Sequence, residues 1–223
     1  MKNLKNVLLL KQLYQYKQLG YLYTSSTLYS QHEVNFTLPS NLNELQQQAY
    51  ACKLCLLSKS RNNVIFGKGN QSAKVMFIGD FPSSIDDQKG EIFSDIAGEL
   101  LTKMINTVLL LDKSDVYISN ILKCRALNTI EPSSAYIHSC LPYILKEIEF
   151  VKPQIIVTLG EMPYHYLTQE TTPLEKSRGI SIKKENYTII PTYHPTFLLK
   201  NPSLKKEVFE DLKKIKTLLQ SAE

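Results

Sequence analysis

Four short apolar runs, set between stretches of helical spacing, constrain this chain more than any other feature. They are Lys74–Gly79, Val116–Ile121, Gln154–Leu159 and Tyr187–Pro191. Three are rich in β-branched residues and little interrupted by charge, the pattern of strands buried on both faces. Helical stretches lie between them at Ile96–Leu111, Ser133–Val151 and Glu161–Thr168, and a last one comes at Leu204–Leu219. This alternation predicts an α/β fold in which helices cover a parallel sheet. The length of 223 residues and a hydrophobic content of 43% suit one sizeable domain with an N-terminal extension.

The extension covers residues 1–40. Residues 1–20 mix leucines with Lys, Gln and Tyr and read as an amphipathic helix, and Thr24–Ser40 reads as a linker. The domain proper then spans 41–223. Asn41 with Glu44 predicts a helix start, Asn as the N-cap and Glu reaching back.

A parallel sheet has a functional consequence, because open α/β sheets bind ligands beyond the carboxyl ends of their strands. Gly79-Asp80-Phe81-Pro82-Ser83 comes after the first run, Asn120 sits near the end of the second, and Thr192-Tyr193-His194-Pro195-Thr196 comes after the fourth. A carboxylate, an amide and an imidazole are therefore expected on one rim.

The cysteine inventory is Cys52, Cys55, Cys124 and Cys140. A C-x-x-C pair with two more thiols brought in by the fold makes a four-thiolate set, and soft sulfur selects zinc or an iron–sulfur cluster. Spacing does not choose between the two. The other reading is a set of buried or disulfide-linked cysteines, and disulfides persist mainly in exported chains. The apolar run Val7–Leu10 is too short for a signal-peptide core, and no stretch approaches the ~20 apolar residues of a membrane span. A cytoplasmic protein without a membrane partner is the expectation. The formal charge of +5 permits a polyanionic partner without demanding one. Lys53, Lys59, Arg61, Lys123 and Arg125 crowd the cysteines and favour nucleic acid.

These pieces, in this order, resemble the family-4 uracil-DNA glycosylases. The likeness rests on Cys52–Cys55, Phe66-Gly67-Lys68-Gly69, Gly79-Asp80-Phe81-Pro82 and Gly90-Glu91-Ile92-Phe93. It continues through Ile118-Ser119-Asn120-Ile121-Leu122-Lys123-Cys124-Arg125, Cys140, Leu159-Gly160, Arg178-Gly179 and Thr192-Tyr193-His194-Pro195. The resemblance implies a three-layer α/β/α fold around a central, mainly four-stranded parallel sheet. It implies a 4Fe–4S cluster on Cys52, Cys55, Cys124 and Cys140. The activity it implies is removal of uracil from single- or double-stranded DNA by hydrolysis of the N-glycosidic bond, leaving an abasic site. A monomer is expected, and the sequence does not name a replication or repair partner.

Chemistry on a base requires flipping it out of the stack and holding it by stacking and edge hydrogen bonds. The side-chain amide of Asn120 offers both a donor and an acceptor to the O4 and N3–H of uracil, although Asn at a strand end also serves as a turn residue. The resemblance places Gly79 and Phe81 at the pocket and Phe93 in stacking, where composition alone would put Phe93 in the core. His194 is placed to donate to O2 as charge builds on the departing base. Asp80 stands where a carboxylate would position water or stabilise a positive sugar; otherwise it is a turn cap.

The chain departs from the family's Gly-Glu-(Ala/Gly)-Pro-Gly at Asp80, Phe81 and Ser83, the last replacing a glycine whose backbone freedom the loop was expected to use. Ala126-Leu127 and Thr129-Ile130 stand where the family has Pro-Pro and Asn-Arg, and Asp95 is expected near the pocket mouth. Two further readings stay open: a nucleic-acid-binding iron–sulfur module of the same fold with weakened chemistry, and a zinc protein with the same four ligands.

Overall fold

The computed structural model describes residues 39–126 and 132–221. The helix expected over residues 1–20, most of the linker, and Thr129-Ile130 lie outside the described residues. Helix α1 (Leu42–Tyr50) opens at Asn41, whose side chain accepts the Glu44 N–H at 2.9 Å. Glu44 reaches back one residue further than expected, to the Ser40 N–H at 2.8 Å. The chain then passes a 3-10 turn at Leu56–Lys59, strand β1 (Lys68–Gly69), strand β2 (Val75–Gly79) and helix α2 (Ser84–Lys89). Helix α3 (Ile96–Met104) continues into a π-helical turn, Ile105–Leu109, and stops where Leu110 turns left-handed at φ 58°. Strand β3 (Tyr117–Asn120), helix α4 (Ser134–Val151), strand β4 (Ile155–Leu159) and helix α5 (Glu161–Thr168) come next. The chain closes with α6 (Leu174–Ser177), β5 (Ile182–Lys183), β6 (Thr188–Thr192), α7 (Pro195–Lys200) and α8 (Lys205–Ser221).

The sheet has six strands in the order β1-β3-β2-β4-β6-β5. The central four are parallel, as the apolar runs require, and each edge adds one antiparallel strand of two residues. Strands that short carry no periodic signal, so only the parallel core was legible.

Side chains alternate between the two faces of each strand, and both faces are dry. Val75, Phe77, Val157 and Ile190 pack with Leu101 of α3 and Leu212 and Ile215 of α8. Met76, Ile78, Ile156 and Ile189 pack with Leu42 and Leu45 of α1 and Ile144 and Ile148 of α4. The result is the three-layer α/β/α arrangement. Among the described residues no helix is long and apolar enough to cross a membrane.

Phe77 lies at the centre of this sandwich with no exposed surface. Phe77→Ala is expected to cost about 3–5 kcal/mol of stability, transfer and cavity terms together. Urea unfolding of the variant beside the parent protein measures it, and a loss under about 1 kcal/mol would show that the core closes over the site.

Candidate active site and cysteine centre

The parallel register brings the strand ends level. Gly79 stands opposite Asn120, and Leu159 opposite Thr192. Past the ladder the chains stay stitched, the Ile121 N–H donating to the Gly79 carbonyl at 2.9 Å and the Leu122 N–H to the Asp80 carbonyl at 3.0 Å. Asp80, Phe81, Phe93, Asn120 and His194 therefore line one cavity of ≈ 270 Å³ at the carboxyl rim. That is near the low end of small-molecule sites, roughly 300–1,000 Å³. Gly79 is part of the same wall. A Cβ there would stand 2.5 Å from the Asn120 Oδ1 and 3.0 Å from the Phe93 ring, so glycine is what lets the amide and the ring approach.

Asn120 is buried at the end of β3. Phe93 adopts φ 48°, an uncommon conformation for a bulky residue that persists only where its surroundings fix it. The fixing group is Asp86. Its buried carboxylate accepts from the Ser94 N–H at 2.7 Å, the Ser94 hydroxyl at 2.9 Å and the Ser83 N–H at 3.0 Å. Ser83 in turn accepts the Asp86 N–H at 3.1 Å, so the two form a capping box for α2. Asp86 was not singled out in the sequence, although the Ser-x-x-Asp spacing at Ser83–Asp86 is the signal of such a cap. Asp95 lines the cavity as expected and also N-caps α3 through the Gly98 N–H at 3.0 Å.

The Phe93 and His194 rings lie 5.7 Å apart between centroids, tilted by 31°. His194 caps α7: its Nδ1 accepts the Thr196 N–H at 3.2 Å. A neutral imidazole accepting at Nδ1 carries its proton on Nε2, so the ring presents a donor to the cavity. Burial pulls its pKa down to about 4, against the opposing pull of the Asp95 and Asp86 carboxylates. The Asp80 carboxylate packs against Gly160, where φ is +100° and a Cβ would stand 3.1 and 3.3 Å from its oxygens. Phe81 is half-buried, lining the cavity while leaning on the Met76–Ile78 side of the core. Behind His194, Asp211 accepts from the Thr192 hydroxyl at 2.8 Å and pairs with Arg178 at 3.2 Å, bracing the end of β6.

The four cysteines line a second, smaller cavity. Helix α1 ends before the C-x-x-C pair: Ala51 is its C-cap, and Cys52 and Cys55 lie on the loop beyond. Cys124 lies just past β3, and Cys140 projects from the first half of α4. The Arg61 guanidinium donates to the Cys124 Sγ at 3.0 Å and to the Cys52 carbonyl at 2.7 Å. The Lys123 N–H donates to the Cys140 Sγ at 3.3 Å. Burial pushes the Cys140 thiol up to about 12 and raises Cys124 as well. Soft sulfurs facing one space, with N–H groups directed at them, suit a metal group that would supply the positive charge thiolates need there. Among the described residues, none of the groups of three or more His, Cys, Asp or Glu is arranged to hold a single metal ion.

The basic surround expected from the sequence divides. Lys53 and Lys59 are exposed, Arg61 turns inward to the cysteines, and Lys123 is buried at 2% exposure. Lys123 is therefore no part of a cationic surface.

The lowered pKa of His194 has a pH signature. Its ordinary value is 6.5, so below that the unfolded chain takes up a proton that the folded ring refuses until about 4. Stability should fall as pH falls through this window and level off below it. The imidazole resonance in NMR should titrate near 4, and His194→Gln should flatten the slope of unfolding free energy over the same interval. A titration midpoint near 6.5 would place the ring in open water.

Residues 66–213 match the Uracil DNA glycosylase superfamily. The type-4 uracil-DNA glycosylase of Saccharolobus solfataricus is 37% identical over 190 residues, 81% of this chain and 88% of the relative. That of Sulfurisphaera tokodaii is 37% identical over 186 residues, 80% and 84% of the two chains. That of Archaeoglobus fulgidus is 33% identical over 183 residues, covering 78% and 92%. On the family match, these relatives and the sheet that carries the rim, the chain belongs to the uracil-DNA glycosylase superfamily, in its type-4 branch.

Proposed function

We propose that this protein excises uracil from DNA, hydrolysing the N-glycosidic bond and leaving an abasic site. One observation carries the reading: an amide, an aromatic ring, a neutral imidazole donor and a carboxylate converge on one small cavity at the sheet rim. A flipped base fits the cleft edge-on to Asn120, which donates to O4 and accepts from N3–H. Phe93 stacks on its face, a contact of about 1–3 kcal/mol per base. Gly79 keeps the wall flat behind both.

As the glycosidic bond lengthens, negative charge develops on the uracil and positive charge on the sugar. His194 Nε2–H donates to O2 and stabilises the departing base; neutrality suits this role, because a donor without excess charge need not give up its proton. Asp80, which with His194 flanks Gly160, positions the attacking water or stabilises the sugar cation through space. Phe81 narrows the entrance from the core side.

The same reading assigns a 4Fe–4S cluster to Cys52, Cys55, Cys124 and Cys140. When bound, the cluster supplies no redox step to a hydrolysis and acts as a covalent staple. These four residues would tie the loop after α1 and the loop after β3 to α4. Exposed Lys53 and Lys59 then face the phosphate backbone, where positive charge positions a duplex without reading it.

A labelled oligonucleotide carrying one uracil, single- or double-stranded, tests the activity by strand scission at the abasic product. Asn120→Asp should lose about 10²–10⁴-fold on uracil, since a carboxylate cannot donate to O4. Undiminished excision by that variant would remove Asn120 from the pocket. For the cysteine centre, anaerobically purified protein should be brown, with iron and acid-labile sulfide in equal amounts. Cys124→Ala should bleach the protein and lower its unfolding midpoint. A colourless protein with stoichiometric zinc would sink the cluster assignment.

A further inference from the structure

Lys123 and Glu147 are both fully enclosed, at 2% and 0% exposure, and neither touches the cavity. A buried ion pair is commonly less stabilising than well-packed apolar residues of the same volume, so its presence needs a reason beyond filling space. The contacts supply one. Lys123 Nζ lies 2.8 Å from Glu147 Oε1, donates to the Ser119 hydroxyl at 2.7 Å, and donates to the Asn120 main-chain carbonyl at 2.8 Å. The Ser119 hydroxyl donates in turn to Glu147 Oε2 at 2.5 Å. The ammonium thus donates two hydrogen bonds and has its charge paired by Glu147. Its partners are the last two residues of β3 and a carboxylate of α4.

The same two elements hold the cysteine centre. Cys140 and Glu147 are seven residues apart on α4, two helical turns and hence one face. Lys123 precedes Cys124, and its own N–H donates to the Cys140 Sγ. One lysine therefore touches a cysteine of the centre through its backbone and the base-reading asparagine through its side chain.

We propose that Lys123, clamped by Glu147 and Ser119, is the positioning residue that fixes Asn120 against the base and couples it to the cysteine centre. The inference rests on the glycosylase reading above. An apolar residue in place of Lys123 would fill the volume but leave the Asn120 carbonyl without this donor, and the amide beside Gly79 would lose its register. Displacements of the order of 1 Å in a positioning group can cost about 10²-fold in rate.

The test uses the full-length protein and three variants. Lys123→Met alone strands a buried carboxylate, so Lys123→Met/Glu147→Gln is the main probe, with no unpaired charge. Ser119→Ala keeps both charges and decides the matter if the double variant does not fold. Single-turnover excision of uracil should fall about 10²-fold in the double variant and about tenfold in Ser119→Ala. Affinity for the same duplex carrying a tetrahydrofuran abasic analogue, which has no base to read, should not change. A merely structural role would not separate the two readouts.

A folded variant with parental excision overturns the proposal, as does a loss of abasic-site affinity in step with the rate. Parental protein that leaves uracil intact overturns the glycosylase reading instead. Amide hydrogen exchange at residues 118–122 then decides. Faster exchange confined to that segment in the variants supports the clamp, and unchanged exchange overturns it.

Discussion

The double-sided burial of the four parallel strands is the constraint on which everything else depends. Parallel neighbours cannot be joined by hairpins, so each connection crosses a face of the sheet, and helices do the crossing. Every crossing returns the chain to the same starting edge. The strands consequently finish together, and the loops that leave β2, β3 and β6 meet on one rim. Asp80, Asn120 and His194, distant in sequence, are neighbours for that reason. The register of Gly79 with Asn120, and of Leu159 with Thr192, sets their heights to within a residue.

On this rim the side chains are held by backbone and by other side chains. Asp86 clasps Ser94 and so holds Phe93 left-handed; the Thr196 N–H selects the His194 tautomer; Gly79 and Gly160 give up side chains so that Asn120 and Asp80 can close in. Dipoles fixed in this way need not reorganise during the reaction. The proposed chemistry draws on that pre-organisation. The low pKa of His194 belongs to the same economy, since the burial that sharpens its donor also keeps the ring neutral.

How much of this was legible in the sequence divides along physical lines. The central strands were, because burial on both faces writes itself as β-branched runs such as Gln154–Leu159. The meeting of Asp80, Asn120 and His194 was, because topology alone dictates it. The role of Phe93, and the choice of iron–sulfur over zinc at the cysteines, came from resemblance; the four-thiolate set itself was read from the cysteine pattern. Edge strands β1 and β5 were invisible at two residues each. Helix α3 was read too long, because a π-helical turn preserves apolar spacing that a left-handed Leu110 then ends. Lys123 was misread as surface charge. A lysine in a Lys-Cys-Arg run looks cationic in one dimension, and its partner Glu147 is supplied only by the packing of α4 on β3.

The departures at Asp80, Phe81 and Ser83 can be weighed on the same terms. A glycine is needed only where the backbone turns left-handed or another atom must approach its Cα. Ser83 sits at φ −69° and ψ 172°, an extended conformation open to any residue, so nothing in this loop demands glycine there. The serine adds a cap instead. Its hydroxyl starts α2 and orients Asp86, which holds Ser94 and through it the Phe93 ring. Phe81 divides its ring between cavity and core, and ≈ 270 Å³ remains open beside it. Asp80, one methylene shorter than the family's glutamate, lies against a glycine that leaves it room to settle deep in the wall. Each change is absorbed by a contact in this chain. None of the three departures falls on Gly79, Phe93 or Asn120, the proposed base-reading face of the cleft.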